Sequence, residues 1–159
     1  NYGLFLDIHG HGANPDGFYD LRTWLGYLLD KDELQLSDIE LDNENYQNKS
    51  SIKTLSIISP ENFIDVLRGN NSLGSILDSL GYKSVPSLND PSTNGTHYYS
   101  GGYNTMIHGS AISGSPISSI QLELPNPGIR ENSLQRKNYA ESLVITLQKY
   151  FKVHYNIDL

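Results

Sequence analysis

Tyr2-Gly-Leu-Phe-Leu-Asp-Ile-His9, followed at once by Gly10-His-Gly-Ala-Asn-Pro15, is a short apolar run that ends on an ionisable residue and breaks into a glycine- and proline-bearing loop. It reads as a buried strand feeding an irregular loop. A second segment has the same design. In Ile117-Ser-Ser-Ile-Gln-Leu-Glu-Leu124, Ile120, Leu122 and Leu124 face one way and Ser119, Gln121 and Glu123 the other, until Pro125 and Pro127 stop the strand. Strand parity likewise puts Phe5, Asp7 and His9 on one face. Two such strands among helical segments place the chain in the α/β class. In open α/β sheets ligands bind beyond the carboxyl ends of the strands, where His9 and Glu123 fall.

The rest of the chain supplies the helices. Residues 19–30 (YDLRTWLGYLLD) space Leu21, Trp24, Leu25 and Leu28 as a helix would, with Trp24 and Tyr27 as its core anchors. The stretch 31–50 is polar and reads as an exposed excursion. Three short helices are expected between Ser51 and Gly81, the second starting near Pro60 and ending at Gly69, the third ending at Gly81. Residues 84–96 form a loop, and His97–Tyr103 with Thr105–His108 read as extended pieces of a hairpin around Gly101-Gly102. From about Asn132 to Tyr155, Leu134, Tyr139, Leu143, Leu147 and Phe151 predict a long amphipathic helix.

Composition excludes several classes. The chain has 159 residues, within the usual span of one domain, with 37% hydrophobic and 18% charged residues. No apolar run approaches the roughly 20 residues that cross a bilayer. Eleven basic against 18 acidic residues give a net charge of −7, which argues against nucleic acid or an anionic membrane as partner. There is no cysteine, hence no disulfide, thiolate metal site or thiol nucleophile. Sequons at Asn48, Asn70 and Asn94 occur at a frequency close to chance; with the missing initiator methionine they lean towards a processed, secreted chain.

Spacing alone leaves the chemistry of the two strand ends open. His9 is either a metal ligand or a capped core histidine, and Glu123 either a catalytic carboxylate or a solvated charge. A catalytic zinc needs three protein ligands and an open position. His11, Asp16, His97 and His108 are further candidates, with no His-x-x-Glu or His-x-x-x-His spacing among them. Asp7, two residues before His9, is placed to orient a metal-binding imidazole.

The run Leu-Phe-Leu-Asp7-Ile-His9-Gly-His-Gly12, with Trp24-Leu-Gly-Tyr-Leu-Leu29, resembles the N-formylglutamate amidohydrolase family, especially its eukaryotic relatives. Matching segments continue in order through Leu67-Arg-Gly, Ser72-Leu-Gly-Ser-Ile-Leu77, Gly81-Tyr, Val85-Pro-Ser87, Tyr98-Tyr-Ser-Gly-Gly-Tyr-Asn-Thr105, His108-Gly-Ser110, Ser118–Pro125 and Arg130. The resemblance implies a fold like that of zinc carboxypeptidases and aspartoacylase, a mixed, mostly parallel sheet flanked by helices. It implies zinc-assisted hydrolysis of an amide next to a carboxylate, of the N-formyl- or N-acyl-amino-acid type. His9 then corresponds to a metal-binding histidine and Glu123 to the general base. Arg130 suits a carboxylate clamp, because guanidinium binds carboxylate bidentately. Tyr103 and Asn104 would line the pocket, and Asp7 and His11 would support the metal-binding imidazole.

The family's amino-terminal half, with the other zinc ligands and a substrate-binding arginine, has no counterpart here. The sheet is therefore expected to be incomplete in this chain and to be completed by a second polypeptide or a further copy. Two functions follow as expectations. One is a zinc amidohydrolase acting on a small carboxylate-bearing substrate; the other is a catalytically inactive hydrolase scaffold that binds or assembles.

Overall fold

The computed structural model describes residues 2–13, 17–112 and 114–159. The candidate ligand Asp16 lies outside them. Four strands, β1 (Gly3–His11), β2 (Thr23–Gly26), β3 (Ser84–Val85) and β4 (Ile117–Pro125), form one sheet in the order β1-β4-β2-β3. The β1/β4 and β2/β3 pairs are parallel and β2/β4 is antiparallel, so the chain is α/β with a mixed sheet.

Strand β4 is central and buried along nearly its whole length. Its apolar face (Ile120, Leu122, Leu124) joins Leu25 in a core shared with the helices that follow. Those are α3 (Lys53–Ile58), α4 (Phe63–Arg68), α5 (Leu73–Ser79) and the 23-residue α7 (Ser133–Tyr155). Side-chain caps from Asn62, Ser72 and Asn132 start α4, α5 and α7 by accepting otherwise unpaired backbone N–H groups. The buried line of α7 runs through Tyr139, Thr146, Tyr150 and His154, with Leu143 and Leu147 packed beside it. Leu134, expected on that face, is 65% exposed.

Several expectations are corrected. Residues 19–30 hold a strand, β2, rather than a helix; all four of its residues are buried, so both of its faces are covered and no alternation shows. Trp24 and Tyr27 do sit in the core. The polar stretch 31–50 is not a loose excursion. It carries a 3-10 turn at Glu33–Gln35 and the helices α1 (Asp38–Leu41) and α2 (Glu44–Lys49), pinned by buried Leu34 and Leu41. Arg68 holds it from beneath, donating to the Leu34, Leu36 and Pro91 carbonyls and to Asp38. The expected hairpin around Gly101-Gly102 is instead an extended loop leading into helix α6 (Tyr103–His108). Strand β1 runs two residues past His9 and is not buried: it lies at one edge, and Ile8 is 57% exposed. Among the described residues its outer edge has no strand partner. No helix among them is long and apolar enough to cross a membrane.

Gly26 shows how tightly the second face of the sheet is covered. A Cβ there would lie 2.6 Å from the Gly101 nitrogen and the Ser100 carbonyl carbon, backbone that cannot swing away. Gly26→Ala is expected to cost about 1–3 kcal/mol through overpacking, read as a lower urea midpoint at unchanged slope.

Candidate active site

The parallel register pairs Asp7 with Gln121 and His9 with Glu123, while the antiparallel register sets Trp24 against Glu123 from the other side. Paired residues on neighbouring strands project to the same face. His9, Glu123 and Trp24 therefore form a row across three strands, two residues before the carboxyl ends of β1 and β4.

Asp7 Oδ1 lies 2.9 Å from His9 Nε2. A carboxylate only accepts, so the proton of a neutral ring belongs on Nε2 and Nδ1 keeps its lone pair. The His9 side chain is 47% exposed while Asp7 is nearly covered, so the free nitrogen belongs to a reachable ring on a fixed mount. Glu123 is only 6% exposed, which removes the solvated-charge reading. Its Oε1 accepts from Gln121 Nε2 at 2.8 Å, and Gln121 Oε1 accepts from the Gly102 N–H at 2.7 Å and the Thr105 hydroxyl at 3.3 Å. One buried amide thus ties the carboxylate to the start of α6. Below it, the Ser119 hydroxyl donates to the Thr105 carbonyl.

The other candidates are placed as follows. His11 is buried, donates from Nε2 to the Arg22 carbonyl at 3.0 Å and stacks on Trp24 with ring centres 3.7 Å apart; no contact joins it to His9. Arg130 donates from Nε to the Leu124 carbonyl and from Nη2 to the His11 carbonyl, strapping the ends of β4 and β1 together. Its guanidinium fills the space a Cβ on residue 10 would need, which is why Gly10 stands there. Tyr103 is 72% exposed and Asn104 is exposed beside it, at the start of α6. His108 meets Phe5 at 4.9 Å. His97 caps Trp24 edge-on and, with Gly10, His11, Gly12, Trp24 and Tyr99, lines a 370 Å³ cavity beside the row. Asn48, Asn70 and Asn94 are all exposed.

Sequence reading missed the support beneath Trp24. Asp20 accepts from Arg22 Nε (3.0 Å), Arg22 Nη2 (2.7 Å), the Arg22 backbone N–H (3.0 Å) and Trp24 Nε1 (3.0 Å), and Arg22 reaches on to Asp90. Burial by itself would raise the Asp20 pKa, but the Arg22 and Trp24 hydrogen bonds outweigh it and hold the carboxyl below its ordinary value. The period-two spacing of Asp20, Arg22 and Trp24 was the available signal for a strand there.

Among the described residues no group of three or more His, Asp or Glu side chains is arranged to hold a metal. The donors present fit part of a zinc shell: an accessible imidazole nitrogen whose partner nitrogen is held by a carboxylate, as metal-bound histidines require, and a buried carboxylate on the next strand. Comparison with protein-family models, curated proteins and solved structures finds no match for this chain.

Asp20 carries the pH prediction. Asp20→Asn is expected to destabilise by about 3 kcal/mol, the lower end for breaking a buried ion pair. Since the folded carboxyl titrates below its unfolded value near 4, its contribution is complete above that value and is lost as pH falls through the lower folded one. Denaturation midpoints of parent and variant are therefore expected to converge below about pH 4 and to stay apart at pH 7.

Proposed function

We propose that this chain carries the histidine and carboxylate of a zinc-assisted amidohydrolase of the N-formylglutamate amidohydrolase type, on a carboxypeptidase-like sheet. The observation that supports this best is the His9–Glu123 register pair with Asp7 bound to His9 Nε2. Zinc in such a site lowers the pKa of a bound water towards about 7 and polarises the substrate carbonyl. Asp7 fixes the ring of His9 and leaves Nδ1 as the ligating atom. Glu123 takes the proton of the attacking water and delivers it to the leaving amine. Its Oε1 is held by Gln121, so the carboxylate is aimed before substrate arrives.

The substrate is proposed to be a small N-acyl amino acid. Arg130 already spends its Nε–H and one Nη2–H on carbonyls, so Nη1 and the second Nη2–H remain to meet a substrate carboxylate, with Tyr103 and Asn104 at the rim. The remaining zinc ligands are proposed to come from a second polypeptide or another copy of the chain. The unpaired edge of β1 and exposed Ile8 support such a partner, because an open edge invites pairing. One observation favours the rival, non-catalytic reading: the guanidinium of Arg130 and the amide of Gln121 are both engaged as structural straps.

The native assembly is expected to hold about one zinc per site, measured by elemental analysis, and to lose amide hydrolysis on chelation. Glu123→Gln should keep the zinc and lower kcat by roughly 10²–10⁴, whereas His9→Ala should lose the zinc. A native assembly without metal, whose properties Glu123→Gln leaves unchanged, would establish the binding-scaffold reading instead. On its own, the chain is expected to self-associate in light scattering; a monodisperse 17.8 kDa species would show that the edge needs no partner.

A further inference from the structure

At the other end of β1, far along the strand from His9, a second histidine sits in a quite different setting. His154, on the last turn of α7, is 1% exposed. Its Nε2 lies 2.9 Å from the Asn71 carbonyl oxygen and its Nδ1 lies 2.8 Å from Ser59 Oγ. A carbonyl can only accept, so Nε2 carries the proton of the neutral ring. Nδ1 is then a lone pair, and the Ser59 hydroxyl must be the donor. This is the polarity of a nucleophile paired with its general base, with the base oriented by a third group. Burial lowers the pKa of His154 and keeps the ring in the neutral, proton-accepting form.

The surroundings fit the same chemistry. Glu61 follows Ser59 by two residues, and its backbone N–H donates to Ser59 Oγ at 3.1 Å, fixing the oxygen. The Glu61 carboxylate accepts from Asn71 Nδ2 through Oε1, while Oε2 is buried without a hydrogen-bond partner among the described residues. Its charge favours a protonated His154. Ser59 and His154 line a 930 Å³ cleft with apolar walls from Ile58, Pro60, Val153 and Ile157, and with Asn156 and Lys152 as polar groups at its side. The cleft reaches Tyr2, just before β1, and Tyr155 bonds the Gly3 carbonyl there, so it opens at the strand ends opposite to His9.

We infer that Ser59 and His154 form a nucleophile–base pair that accepts the acyl group of an ester with an apolar acyl chain. Ser59 Oγ bonds to the carbonyl carbon while its proton passes to His154 Nδ1. The carbon–alkoxide bond then breaks, and His154 returns that proton to the leaving alcohol. Water repeats the two steps, releasing the acid and restoring Ser59. The Asn156 amide and the Lys152 ammonium, which pairs with Asp158, line the cleft as polar groups for the oxyanion. No part of this depends on a metal, or on His9 and Glu123.

The test is labelling of the chain by an alkyl fluorophosphonate in the presence of a chelator, with the modified residue located by peptide mass spectrometry. The expected result is a single adduct on Ser59, formed as the Oγ–P bond replaces the P–F bond. It should be absent in Ser59→Ala and formed at least about 10²-fold more slowly in His154→Gln. An adduct scattered over surface serines, or one on Ser59 whose rate His154→Gln leaves unchanged, would overturn the pairing. Should His154→Gln not fold, Ser59→Cys decides the matter, because the parent has no cysteine. The thiol it introduces should react with iodoacetamide at pH 7 about tenfold or more faster than free cysteine, since a neighbouring base raises the thiolate fraction. A rate equal to or below that of free cysteine would mean that His154 activates nothing.

Discussion

Ser119, Gln121 and Glu123 lie on one face of the central strand, all three are buried, and each must find a hydrogen-bond partner or cost the fold several kilocalories. Much of the architecture on that side of the sheet answers this need. The loop before α6 lies flat against β2, close enough that position 26 admits only glycine, and it delivers the Gly102 N–H and the Thr105 hydroxyl to Gln121. The same turn of α6 offers the Thr105 carbonyl to Ser119, whose own carbonyl accepts from Ser51 at the start of the helical layer. With its carbonyl oxygen so occupied, Gln121 turns its amide NH2 to Glu123. The carboxylate therefore sits at the outlet of a chain of satisfied groups, with little freedom to rotate.

That constraint explains why β1, although an edge strand, is held in fixed register. Its apolar side chains Leu4 and Leu6 are only partly buried against the core, too weak an anchor to prevent slippage by one residue, which would turn His9 away from Glu123. Two straps compensate. Tyr155 bonds the Gly3 carbonyl at the start of the strand, and Arg130 bonds the His11 carbonyl at its end while also holding the Leu124 carbonyl of β4. The absence of a side chain at Gly10 is what lets the guanidinium lie across both strands. Arg130 thus acts on His9 through the backbone, whatever else its remaining N–H groups do.

The parts of the fold legible in the sequence are those where one face is apolar and the other polar. The three short helices after Ser51 and the long final helix show this, as does the alternation of β4. Their caps and stops (Asn62, Ser72, Gly69, Gly81) agree with the periodicity. Strand β2 was illegible because Trp24 and Leu25 put an apolar side chain on each face and so look like part of a helical stripe; the polar partners Asp20 and Arg22 gave a period-two sign. In the stretch 31–50 the Ser37-Ile39-Glu40 region hides a capping box, with Ser37 Oγ and the Glu40 carboxylate each closing on the other's backbone N–H, yet charge density masked it. Helix α6 buries only Thr105, too little apolar pattern to outweigh the glycine pair before it. The His9–Glu123 juxtaposition could be read because each residue lies close to the carboxyl end of its own strand. The Ser59–His154 contact could not, since 95 residues separate its members and only the packing of α7 against α3 brings them together.

The two histidines are built on one rule with opposite settings. In each, an acceptor takes the Nε2 proton and leaves Nδ1 with its lone pair. For His9 the acceptor is a carboxylate and the ring is about half exposed, a combination that raises the ring's donor strength and lets a cation approach from solvent. For His154 the acceptor is a neutral carbonyl and the ring is buried at the wall of a cleft, with Nδ1 already engaged by the Ser59 hydroxyl. Charge behind the ring and access in front of it, rather than the residue type, divide ligand chemistry from base chemistry in this chain. Exchanging those settings, by giving His154 a carboxylate in place of the Asn71 carbonyl, would not make it a metal ligand, because the Ser59 hydroxyl would still occupy Nδ1.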